Sequence, residues 1–306
     1  MKWPSRDHEK QRLVAAMKRH ADEVRPLPGV VDEGAIETLA LQFVASLRRE
    51  DFYAVVQQKK LSADRADPNS PRFEAERAVA YHLQNGDIEE AAWLVFLITH
   101  FAKPADTGWL RLKDVYGKLG QDVWTWKTVS ANPRAFSDWV YANSTAIRGK
   151  FGNHRKYESL EEGTKREFSK VLQSYIALVG KSHRTFFAQA VRDAGNDPTV
   201  IFDHLYRRMS AVLSFGRLAK FDYLALIGRY AIAPISAGSA YLSGATGPAS
   251  GARLLFLGDP DGVASAKQLQ AWLNELDHSL SVGMAVMEDA LCNWQKSPTE
   301  FVHFTG

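Results

Sequence analysis

The sequence predicts an all-α protein, and three observations carry that prediction. Apolar residues recur at three- and four-residue spacing in segment after segment of the 306 residues. Helix start and stop signals fall where those segments begin and end. No run of alternating apolar and polar residues competes for a sheet.

In the first half, "EKQRLVAAMKRHADEV" (9–24), "GAIETLALQFVASLRRED" (34–51) and "PRFEAERAVAYHLQNG" (71–86) each show one apolar stripe. "DIEEAAWLVFLITHFA" (87–102) begins at Asp87, which is placed to cap the helix after Gly86. "NPRAFSDWVYANSTAI" (132–147) begins with Asn132 as cap and Pro133 in the first turn. The pattern continues in "TKREFSKVLQSYIALVG" (164–180), "HRTFFAQAVRDAG" (183–195), "DPTVIFDHLYRRMSAVLSFG" (197–216), "ASAKQLQAWLNELDHSL" (264–280) and "GMAVMEDALCNWQK" (283–296). Roughly 11 to 15 helices are expected. The polar, glycine-bearing stretch 144–165 reads as a hinge between an N-terminal lobe, 1–148, and a C-terminal lobe, 149–306, unless the two form one intertwined domain.

Composition narrows the function classes. At 45% hydrophobic and 24% charged residues, the chain can bury a large core. A single cysteine, Cys292, excludes an intrachain disulfide and a four-cysteine metal site, and suits a reducing compartment. The longest apolar run, "AAWLVFLITHFA", is too short to span a bilayer, and "MKWPSRDHEK" lacks the apolar core of a secretory signal. A cytoplasmic protein with no membrane contact is expected. The nine histidines are scattered, so no metal is assigned, and nothing in the chain calls for a cofactor.

The net charge of +3 is modest, but basic residues gather in three places. Arg148, Lys150, His154, Arg155 and Lys156 form one group, Lys181, His183 and Arg184 a second, and Arg207, Arg208, Arg217 and Lys220 a third. One such group alone reads as a solvated face; three together point to a polyanion.

A glycine-rich stretch, "YLSGATGPASGARLLF" (241–256), sits between a helix end and a helix start. It has no lysine for a P-loop, and its approach is too rich in Pro, Gly and Ala for the strand of a dinucleotide fold. Leu242, Gly244, Gly247, Gly251 and then "ARLLF" follow the outline of a helix-hairpin-helix element, with one extra residue between the first two glycines. There the exposed amides of a helix N-terminus bind a DNA phosphate, with Arg253 nearby. A tight helix–helix connection without ligand is the other reading. "LSFGRLAKFDYLALIG" (213–228) repeats a looser version in which Gly216, Arg217 and Lys220 are placed for phosphate contacts.

Taken together, "FGNHRKYESL" (151–160), "SFGRLAKFDYL" (214–224), "SGATGPASGARLLF" (243–256) and "EDALCNWQKSP" (288–298) resemble the alpha-glutamyl/putrescinyl thymine pyrophosphorylase family, clade 3. "RADPNS", "AAWLVFLITHF" and "KDVYGKLG" extend the likeness over most of the chain. The resemblance implies kinship with helix-hairpin-helix DNA glycosylases. It includes Brig-type anti-phage glycosylases, which remove α-glucosylated hydroxymethylcytosine from phage DNA. The implied partner is double-stranded phage DNA carrying modified bases, bound by a monomer. Three functions follow as alternatives: glycosylase, an enzyme displacing pyrophosphate from a modified thymine, and a DNA-binding module without activity. Either enzyme would need the base flipped out of the stack.

Cleavage of a glycosidic bond passes through an oxocarbenium-like sugar, which an anionic carboxylate stabilises. Asp222, in the aromatic setting "KFDYL", and Glu288 and Asp289, on the apolar helix "VMEDALCNWQK", are the expected catalytic candidates. An arginine partner is the structural alternative for Asp222. Adjacent helix positions point about 100° apart, so one of Glu288 and Asp289 is expected to be solvated. Where hairpin relatives carry an aspartate, this chain has Gln268; Asp259 and Asp261 read as turn formers. His154, Arg155, Lys156 and Tyr157, with Asn293 and Lys296, are expected to read the base or a sugar on it. Pro248, Ala249 and Ser250 stand where lyase-competent relatives place a Schiff-base lysine, so a monofunctional enzyme using water is expected.

Overall fold

The computed structural model describes residues 3–304. Among them are fourteen α helices and no strand beyond one isolated bridge between Ser159 and Glu167. The helices are α1 (Asp7–Glu23), α2 (Glu33–Gln58), α3 (Ala75–Gln84), α4 (Ile88–Phe101), α5 (Leu110–Tyr116), α6 (Trp126–Ala131) and α7 (Pro133–Asn143). They continue with α8 (Phe168–Val179), α9 (His183–Ala194), α10 (Pro198–Arg208), α11 (Arg217–Arg229), α12 (Gly247–Leu257), α13 (Ala266–Leu280) and α14 (Met284–Trp294). No helix among the described residues is long and apolar enough to cross a membrane.

The expected caps are formed. Asp87 accepts from the Glu90 amide at 3.0 Å, and Asn132 accepts from the Ala135 amide at 3.1 Å with Pro133 at the first helical position. The all-α class therefore follows from local signals that the chain carries throughout.

The described residues divide into two compact units, 3–52 with 237–304, and 53–236. These are not the expected halves 1–148 and 149–306. The stretch 144–165 lies inside the second unit and is pinned there: Arg148 makes three hydrogen bonds to the buried Asp114 carboxylate, at 2.7 to 2.9 Å. The Gly152 amide also donates to the Phe101 carbonyl at 2.9 Å. Charges that look solvated in sequence are anchors here.

The first unit has one core, in which Leu13, Met17, Leu39 and Phe43 meet Leu255, Leu273, Leu276, Leu291 and Trp294. The second is organised on α4, which is buried from Glu90 to Phe101. A helix apolar on every side must be surrounded. Phe96 stacks on Tyr175 at 4.0 Å, and Trp93 meets Trp126 at 5.7 Å.

Candidate active site

The second unit holds a cavity of about 920 Å³ at the N-terminal end of α4. Its wall is mostly apolar and aromatic, with Tyr81, Tyr116 and Trp126 among the lining residues. Its polar groups include His82, Glu89, Glu90, Lys127 and Lys181. A large apolar pocket with a few convergent polar groups is the common form of a ligand site.

Glu89 and Glu90 share the first turn of α4 but meet opposite environments. Glu90 is 4% exposed. Its Oε1 pairs with the Tyr116 hydroxyl at 2.7 Å, and its Oε2 accepts from the Trp126 amide at 2.8 Å. Burial outweighs these two donors and pushes its carboxyl up to about 7. Burial also acts against the charge on Glu89, yet there the donors win. The Ser182 hydroxyl at 2.7 Å, the amides of His183 and Arg184 at 2.7 and 3.2 Å, and the His183 ring at 2.9 Å hold Glu89 down to about 2. These amides open α9, so its N-terminus favours the anion as well. One wall thus carries a fixed carboxylate beside a carboxyl poised near neutrality, the separation that acid and base roles require.

Around this pair, His183 Nε2 lies 2.7 Å from the Tyr175 hydroxyl, which lies 2.8 Å from that of Tyr223. All three rings are fully buried. Burial keeps His183 below its ordinary pKa despite the Glu89 carboxylate. His82 is also lowered by burial, and its Nε2 has no hydrogen-bond partner among the described residues.

Part of the expected site is assembled elsewhere in this unit. Arg155 is buried and donates to the Ser214 carbonyl at 2.8 Å, while also meeting the His100 carbonyl at 3.3 Å and His100 Nδ1 at 3.1 Å. Glu158, also buried, lies 3.7 Å from it. Burial lowers the Arg155 pKa, and the charges of Glu158 and Asp222 act to raise it, so Asp222 lies within electrostatic reach of this arginine. Arg155 is therefore an anchor and not an exposed recognition residue. His154, Lys156 and Tyr157 are exposed.

Gly216 caps α11 and has open space around it. Arg217 lies over Phe221 at 5.1 Å; Lys220 lies over Tyr206 at 4.2 Å and donates to Ser210 at 3.0 Å. The basic groups are accordingly thinner than the sequence suggests. Lys150 pairs with Asp106, Arg207 pairs with Asp203, and His183 is internal.

The remaining expected residues belong to the first unit. A Cβ on Gly247 would lie 2.7 Å from Cys292 Sγ, and one on Gly251 would lie 2.3 Å from the Leu291 carbonyl oxygen. Close packing of α12 on α14 accounts for both glycines. Gly244 is exposed with φ +73°, a turn conformation that favours glycine. Arg253 is half-buried on α12.

Asp289 accepts from Ser46 at 2.6 Å, from Arg49 through both Nε at 2.9 Å and NH2, and from Asn293 at 3.0 Å. Lys296 donates to Asn293 Oδ1 at 3.0 Å. Asp289 thus has an arginine partner, and Glu288 beside it is buried. The three expected carboxylates do not share a unit. Gln268 completes a capping box with Ser265 at the start of α13, and Asp259 accepts from the Asp261 amide at 2.9 Å in a turn.

Glu89 and Glu90 were not among the expected residues. Acidic side chains in a first turn are explained by the helix dipole alone. The available signal was that they open the most apolar helix of the chain, where one of two adjacent positions must point inward.

No curated protein and no solved structure matches the chain. One family model matches residues 34–306, that of alpha-glutamyl/putrescinyl thymine pyrophosphorylase clade 3.

Proposed function

The chain belongs to the alpha-glutamyl/putrescinyl thymine pyrophosphorylase clade 3 family, and from that membership we propose that it is a monofunctional glycosylase excising a modified base from DNA. The observation that carries this reading is the Glu89 and Glu90 pair on the wall of the 920 Å³ cavity. That volume lies at the upper end of the about 300–1,000 Å³ usual for ligand sites, generous for a plain base and suited to one bearing a sugar. α-Glucosylated hydroxymethylcytosine in phage DNA is the proposed substrate.

In this reading the flipped nucleotide enters the cavity. The Glu89 carboxylate stabilises the positive charge that grows on the deoxyribose as the glycosidic bond breaks. Glu90, about half protonated at neutrality and more fully below it, gives its proton to the departing base. Water adds to the sugar carbon, its proton returns to the Glu90 carboxylate, and an abasic site is left. Lys127 and Lys181 are both exposed, without the desolvation that makes a lysine amine a nucleophile. Asp222, within electrostatic reach of the Arg155 anchor, is the one carboxylate expected from the sequence that falls in this unit, and Gly216 and Arg217 at the start of its helix are proposed to meet the DNA backbone.

The two lysines at the same cavity favour one further reading. They suit a pyrophosphate attached to the methylene of a modified thymine, which an incoming amine would displace with loss of pyrophosphate. Both readings are separated by incubating the protein with DNAs bearing cytosine, hydroxymethylcytosine and its α- and β-glucosyl forms, and with pyrophosphorylated hydroxymethyluracil DNA. Free modified base in the mass spectrum selects the glycosylase, and pyrophosphate selects the displacement. Equal release from ordinary cytosine DNA overturns the modified-base reading, and capture of a covalent adduct by borohydride overturns the monofunctional one.

A further inference from the structure

Tyr157 is 69% exposed, more than any other aromatic side chain among the described residues. Its ring lies 5.1 Å from Lys156 Nζ and 5.9 Å from the Arg166 guanidinium. The backbone beneath it is held on both sides. Arg155 before it is clamped to His100 and Ser214, and Glu158 after it is buried between Arg155 and Arg166. Behind it, the Ser159 amide donates to the Arg166 carbonyl at 3.0 Å and the Phe168 amide to the Ser159 carbonyl at 2.8 Å. The ring is presented by an ordered segment, so little entropy is lost when something stacks on it.

Arg155 links this segment to the turn before α11, because the carbonyl that it grips is that of Ser214. That turn exposes Leu213 at 53% and the open Gly216. An aromatic ring for another protein's apolar core would be ringed by apolar neighbours. This one has cations, and Glu158, the carboxylate next to it in sequence, is turned inward and paired.

We propose that Tyr157 is a base-stacking residue, its ring taking the face of an unpaired base in DNA while Lys156 and Arg166 meet the flanking phosphates. The proposal rests on the DNA reading above and adds the surface that holds the opened strand. Every base has a π-face, so stacking tolerates any sequence and discriminates paired from unpaired DNA.

The test is fluorescence anisotropy of the full chain on labelled oligonucleotides that are fully paired, carry one unpaired base, or are single-stranded. Wild-type protein should prefer the DNAs with unpaired bases. Tyr157→Ala should weaken binding to those about five- to hundredfold and to paired DNA much less. Tyr157→Phe and Tyr157→Trp should retain the preference, with tryptophan emission quenched on binding. Tyr157 is too exposed for these changes to threaten folding, which a melting curve checks. Wild-type affinity in Tyr157→Ala overturns the stacking role alone, as does an equal loss in Tyr157→Phe, which would assign the hydroxyl. Failure of the wild-type chain to bind any of these DNAs overturns both the stacking role and the DNA reading.

Discussion

Glu89 and His183 are joined twice through one oxygen: the His183 amide donates to Glu89 Oε2 at 2.7 Å, and the His183 ring nitrogen Nδ1 lies 2.9 Å from it. With Ser182 and Arg184 on Oε1, this carboxylate ties the start of α4 to the start of α9 and keeps its charge against burial. Structure and proposed chemistry therefore rest on the same group.

Glu89→Gln should melt lower than wild type at neutral pH, because the amide NH2 would face donors. The folded pKa, about 2, lies below the ordinary 4.5, so the unfolded chain binds more protons between these values. The stability that this carboxylate adds is complete above about pH 5 and is lost as pH falls towards 2. Melting curves of the two proteins should converge over that interval; a constant gap would show that the charge is not what matters. Base release should fall about 10²- to 10³-fold, as for loss of one electrostatic stabiliser.

Glu90 should show the opposite sign. Its folded pKa, about 7, lies above the ordinary 4.5, so the folded chain holds the extra proton. Wild-type stability should decline as pH rises from 4.5 to 7 and level off beyond. Glu90→Gln, which can still accept from the Trp126 amide and pair with Tyr116, removes that decline. Its stability relative to wild type should grow across the same window. If Glu90 is the proton donor, wild-type turnover falls above pH 7, and the variant loses about 10²- to 10⁴-fold below pH 7, a gap that narrows as pH rises beyond it. A flat pH–rate profile from 6 to 8 in the wild type would remove it from that role.

Asp289 separates structural from catalytic carboxylates. Asp289→Ala strands Arg49, Ser46 and Asn293, and hydrogen bonds to a charged group are worth about 1.5–3 kcal/mol. Stability should drop by an amount of that order while turnover at a temperature where the variant is folded stays within about twofold. Loss of turnover with an unchanged melting temperature would restore the catalytic reading of this residue.

The helices were legible because the signals that make them are local: apolar spacing, Asp87 as cap, Asn132 with Pro133. The unit boundary and much of the site were not, because burial depends on partners far away in sequence. Arg148 and Arg155 look like a solvated basic run until Asp114, His100 and Ser214 are brought to them. Glu90 looks like any first-turn acid until Tyr116 and Trp126 close over it. The aromatic setting of Asp222, by contrast, is visible in the sequence, because neighbouring residues alone can show it.

The glycines give the last test, since one residue type serves two ends. A phosphate hairpin and a close helix crossing both require that no Cβ be present, and a sequence cannot tell them apart. In the structure they differ. Gly251→Ala would drive a methyl group against the Leu291 backbone, which cannot yield without separating α12 from α14. It should cost at least about 1–3 kcal/mol, the range for overpacking. Gly216→Ala meets nothing within 4 Å and has φ −69°, so it should lose only the advantage of glycine over alanine at an N-cap, about 1 kcal/mol or less. If the α11 turn approaches a DNA backbone, that same substitution should weaken DNA binding at temperatures where the variant is fully folded. Equal DNA affinity in Gly216→Ala and wild type would leave this turn with no part in binding.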